Sequence, residues 1–147
     1  MPLTCLRRST IDAAKANKRL IWPNSDSRHD DLIGGIVERA VLISFASPAS
    51  PDEESDFNNW YEQTHVDQVR AAIPEITQVT RYRQVLDDGG SGSNRYITVF
   101  QMDIADVGLA ADALRSARES GALDQTATID REVNPPVLVW AELLSQS

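Results

Sequence analysis

Phe57-Asn58-Asn59-Trp60-Tyr61-Glu62-Gln63-Thr64-His65-Val66 gathers a histidine and three aromatic rings within ten residues. An imidazole titrates near neutral pH, so a placed histidine can take or return a proton. A tyrosine hydroxyl can orient a carbonyl or phenol, and a tryptophan can stack on a planar molecule. Downstream, Arg81 and Arg83 alternate with Tyr82. An arginine there can hold a carboxylate or stabilise an enolate, or it can pair with an acidic residue across a dimer.

The spacing predicts that a helix carries these groups. Ser50 suits the N-cap, Pro51 the first helical position and Glu53 the closing position of a capping box. Steps of four place Phe57, Tyr61, His65 and Val69 on one inward stripe, with Trp60, Thr64, Gln68 and Ala72 beside it. Ile73-Pro74 ends the helix, because proline disfavours helical geometry at the residue before it.

Around that helix, Ile36–Ala46 reads as a strand with apolar residues on both faces. Glu75–Leu86 and Arg95–Ile104 read as a hairpin joined by the loose turn Asp87–Asn94. Asp106 caps a second helix that runs to Ser120 and stops at Gly121, and Pro136–Leu144 is a final strand. The order strand, helix, strand, strand, helix, strand predicts a ferredoxin-like α+β fold, βαββαβ, with a four-stranded antiparallel sheet and two helices on one face. The opposite face stays apolar, so a homodimer packed sheet to sheet is expected.

The chain has 147 residues, 41% of them hydrophobic and 24% charged, which fits a globular protein with one modest core. Residues 1–35 carry six basic and four acidic residues, whereas 36–147 carry eight and eighteen. Both lysines, Lys15 and Lys18, fall in the first part. A boundary near residue 35 follows, with the folded domain at 36–147. The first part, including a short helix over Ala13–Arg19, reads as a flexible or partner-docking arm, or as upstream sequence carried by an early start. A targeting peptide fits less well, because Asp12 and a broken apolar face oppose it.

A net charge of −8 argues against nucleic acid. No apolar run is long enough for a membrane span, and the single cysteine, Cys5, allows no internal disulfide, so a cytoplasmic protein is expected. Two histidines and one cysteine offer few metal ligands; Glu62-x-x-His65 has the spacing of half a di-metal site, but no second copy exists. Gly89-Gly90-Ser91-Gly92 opens no helix and is not a nucleotide loop.

Phe57, Trp60, Tyr61, His65 and Val66, followed by Arg81-Tyr82, resemble the EthD-like family of the dimeric α/β-barrel superfamily, over about residues 36–147. Where that family often has proline after Val66, this chain has Asp67. The resemblance implies a site on the inward stripe. Alone on an apolar face, His65 reads first as a core histidine; the resemblance favours a general acid–base, with Tyr61 sharing its hydrogen-bond site and Arg81 as the third catalytic residue. Phe57, Trp60, Val69 and Tyr82 would then bind substrate, Tyr82 from the opposite sheet face as another wall. For Trp60 plain packing competes with a pocket role, and Trp140 reads as core.

The superfamily includes isomerases, polyketide cyclases, decarboxylases or dehydratases, cofactor-free oxygenases and haem enzymes. The expected activity is proton-transfer chemistry without a cofactor on a hydrophobic aromatic or polyketide-like molecule. The alternatives are a ligand-binding or stress-associated dimer, a cofactor-free monooxygenase, and a haem protein with His65 as axial ligand.

Overall fold

The computed structural model describes residues 37–85 and 95–147. Residues 1–35, the short helix expected there and the turn expected at Asp87–Asn94 lie outside the described residues. Strand β1 (Glu38–Ala46) is central. It pairs antiparallel with β3 (Tyr96–Ile104) on one side and β4 (Val137–Glu142) on the other. Strand β2 (Ile76–Arg83) pairs antiparallel with β3, giving the order β2-β3-β1-β4. The fold is therefore the ferredoxin-like α+β arrangement.

Alternation along β1 and β3 sets the two faces. Ala40, Leu42, Ser44 and Ala46 are buried on one side, opposite Met102, Phe100, Thr98 and Tyr96. Val41, Ile43 and Phe45, with Ile97 and Val99 of β3, take the other. Register carries the pattern outward: Val79 and Arg81 of β2 lie on the first face, as do Leu138 and Trp140 of β4.

Both helices cover that first face. Val69 and Ile73 from one and Ala110 and Leu114 from the other meet Leu42, Phe100 and Met102 in the main core. Trp140 packs against this core and is partly buried.

The first helical run, α1, is continuous but not uniform. It begins with a 3-10 turn over Pro51–Glu53 and an α-helical segment over Glu54–Trp60. A π-helical stretch over Tyr61–His65 follows, then an α-helical segment over Val66–Ala72. Two expectations change here. Ser50 does not cap the backbone: its hydroxyl donates to the Glu53 carboxylate at 3.2 Å, and the tight first turn supplies the backbone bond instead. The expected uniform α-helix is interrupted in the segment that carries the site residues.

The second helix, α2 (Val107–Glu119), ends as its sequence predicts. Asp106 accepts from the Gly108 amide at 2.7 Å, a cap worth about 1 kcal/mol. Gly121 follows at φ 78, where a side chain would be strained. Its amide donates to Arg118 O and that of Ala122 to Ala117 O, closing the orphan carbonyls. Among the described residues no helix is long and apolar enough to cross a membrane.

Candidate functional site

A cavity of about 310 Å³ opens between α1, β1 and the segment that follows α2. Trp60, Tyr61 and His65 form its aromatic wall, and Ser44 and Ala46 of β1 form its floor. Leu123, Ile129, Pro136 and Leu138 complete an apolar side. Arg118, Asp124, Gln125 and Arg131 bring polar groups.

The π-helical stretch assembles the wall. In a regular α-helix, residues five apart diverge by about 140° around the axis. A π turn closes i to i+5 bonds instead, so positions five apart come together. Trp60 and His65 accordingly stack, with ring centroids 4.7 Å apart and planes 27° apart. Tyr61 meets the edge of the same imidazole at 4.8 Å. The slower winding also cancels the drift of about 40° that each step of four accumulates in an α-helix. Tyr61 and Val69 are thereby both buried.

His65 is partly buried. Burial first, then the nearby Arg118 and Arg81 guanidinium groups, push its pKa down from 6.5 to about 4. Its ring is therefore neutral at pH 7. Nδ1 is buried without a hydrogen-bond partner among the described residues, and so is Nε1 of Trp60. The Tyr61 hydroxyl donates to Ser44 Oγ at 3.3 Å, tying helix to floor.

Arg81 lies behind this wall rather than in the cavity. Its guanidinium sits 4.4 Å from the Tyr61 ring centroid and 5.3 Å from that of Tyr96. Nη1 donates to Glu62 at 2.7 Å and Nη2 to Asn58 at 2.9 Å, both on α1. The carboxylate that Arg81 finds is thus within its own chain, and Glu62 is turned to it rather than to His65. Asn58 in turn donates to the Tyr96 hydroxyl at 3.1 Å, and that hydroxyl donates to Glu54.

The other sequence candidates disperse. Phe57 is fully buried against Tyr61 and Tyr96, and Val69 belongs to the main core; neither lines the cavity. Tyr82 is 54% exposed on the opposite sheet face. Of the seven, the structure brings only Trp60, Tyr61 and His65 together at the cavity.

Sequence reasoning missed Ser44, Arg118 and Arg131. The last two come from segments more than fifty residues beyond His65. The segment behind Arg131 is well anchored: Asp130 accepts from the amides of Glu132, Val133 and Asn134 at 3.0, 2.9 and 2.8 Å. Those bonds hold its carboxyl below the usual carboxylate range. Backbone bonds from Ala49 to Thr128 and from Asp130 to Ser47 join this segment to the loop after β1. Among the described residues no group of three or more His, Cys, Asp or Glu could hold a metal ion.

No protein-family model matches the chain, and no curated protein matches it. Two solved structures are similar. One is a dimeric ferredoxin-like protein from an uncultured marine organism, with TM-score 0.51 and 10% identity, covering 75% of this chain and 99% of its own. The other is a dimeric ferredoxin-like protein of unknown function from Thermobifida fusca YX, with TM-score 0.40 and 18% identity, covering 72% and 92%. At such identities the first likeness establishes the ferredoxin-like fold alone.

Proposed function

We propose that this protein is a homodimeric enzyme of EthD-like type that moves protons, without a cofactor, on a hydrophobic aromatic or polyketide-like molecule. Isomerisation, cyclisation, dehydration and decarboxylation are the reactions in scope. The observation that carries the reading is the position of His65: a neutral imidazole, stacked on Trp60 and edged by Tyr61, at the wall of a cavity with an apolar side. A planar substrate lies against that wall. The neutral ring takes a proton, and the Tyr61 and Ser44 hydroxyls, which line the same cavity, hold an oxygen of the substrate.

The low basicity of His65 narrows the substrate. A base with a pKa of about 4 removes only an activated proton, such as one between two carbonyls. Arg81 acts here as a positioning residue, holding Tyr61 from behind.

The test is hydrogen–deuterium exchange on a panel of aryl ketones and 1,3-diketones in D₂O, followed by NMR. Wild type exchanges at least one of them faster than buffer, and His65→Ala loses about 100-fold or more of that gain. Undiminished exchange in a folded His65→Ala protein sinks the mechanism. The same low basicity favours a second reading, a hydrophobic-ligand-binding dimer. Tight binding with no exchange of any compound supports it.

The dimer rests on the sheet face that the two described helices leave open. Val41, Ile43 and Phe45 of β1 share it with Val137 and Val139 of β4, which are 43% and 41% exposed. A second copy of the same face is the economical cover, and the similar marine protein is itself dimeric.

A further inference from the structure

Resting on that reading of the cavity, we propose that its ligand is an anion: a small planar molecule carrying a carboxylate, or an enol or phenol that ionises, held by Arg118 and Arg131. Three observations converge. Both arginines line the cavity that Trp60, Tyr61 and His65 wall. Neither forms an ion pair among the described residues; Arg70, Arg83 and Arg95 form none either, but they do not line the cavity. Arg131 donates instead to neutral Gln125 at 2.9 Å, which orients its fork without neutralising it.

Both arginines are exposed at the cavity, open to solvent and to an entering ligand, in a chain whose net charge is −8. Asp124 is the one carboxylate there, so with His65 neutral the lining keeps a net positive charge. Arg118 also sits in the last turn of α2, where the helix dipole welcomes a cation, and the Gly121 stop that follows fixes where it stands.

Geometry divides the labour. The aromatic wall and the apolar side formed by Leu123, Ile129 and Leu138 hold the planar body. The guanidinium forks hold the charge, in the planar two-point manner that suits a carboxylate. The cavity volume lies at the low end for ligand sites, which suits one or two fused rings.

The test is calorimetric titration of the whole protein with 2-naphthoate and with its neutral isostere 2-naphthamide. The naphthoate binds about tenfold or more tightly. The double variant R118Q R131Q loses that preference while binding the amide as before, and thermal melting verifies that it folds. Equal affinity for the two compounds in wild type overturns the inference, as does a preference that survives in the double variant. If that equal binding is lost in Trp60→Ala, the cavity reading stands and only the anion falls. Failure of both compounds to bind at millimolar concentration overturns the two together.

Discussion

Trp60 and His65 stack ring on ring although five residues separate them, and the π-helical stretch over Tyr61–His65 is the cause. The indole is therefore part of what keeps water from the imidazole. Trp60→Ala should raise the His65 pKa from about 4 by roughly one pH unit or more, because burial is the largest cause of its depression. NMR titration of the His65 ring protons reads this directly. A midpoint unchanged by the substitution disconnects the stack from the basicity.

Stability should follow the same group. The folded pKa of His65 lies below its unfolded value of 6.5, so the unfolded chain binds the extra proton first. Its contribution is complete above pH 6.5 and is lost as pH falls from there to about 4. The loss is a few kcal/mol at most, at 1.36 kcal/mol per pH unit of difference. Denaturant titrations of wild type and His65→Phe at pH 7 and pH 4.5 should diverge in slope, with the variant flatter. Parallel pH dependence contradicts the assignment.

Arg81 should behave as a structural fork. Its side chain is only 13% exposed and serves Glu62, Asn58 and the Tyr61 ring together. Arg81→Met should cost about 1–2 kcal/mol in unfolding free energy. Arg81→Lys should recover little, since an ammonium cannot span the two acceptors and the ring in one plane. Full recovery by lysine would mean that charge alone matters there.

The proposed dimer should break from the sheet. Val139 sits opposite Ile43 on the face that the two described helices leave open. Light scattering should give twice the chain mass for wild type, and a single chain mass for Val139→Asp, with the far-ultraviolet spectrum unchanged. A monodisperse wild-type monomer at micromolar concentration rules out the sheet-to-sheet assembly.

Much of the fold was legible because its signals are local. Alternation in β1, Asp106 before α2, Gly121 after it and Pro74 after α1 each act through their own backbone. The candidate site was legible only in part. Steps of four found Tyr61 and His65, but no residue type announces a π turn, so Trp60 was placed beside the stripe instead of against the imidazole. Arg81 reads either as a cation for a carboxylate or enolate or as half of an ion pair across a dimer, because its alternation is visible in sequence and its partners are not. Arg118 and Arg131 gave no signal in sequence; α2 and the Asp130-anchored turn carry them to the cavity.

One consequence follows from the two backbone bonds that join the loop after β1 to the segment ahead of Arg131, with Pro48 and Ile129 bridged between them. They fix the chain on both sides of the cavity floor before any guest arrives. Fixing a residue's backbone costs about 1–2 kcal/mol of conformational entropy, and here folding has already met that cost. A ligand that fits finds its walls in place, so its affinity is set by desolvation and contact rather than by ordering of these loops.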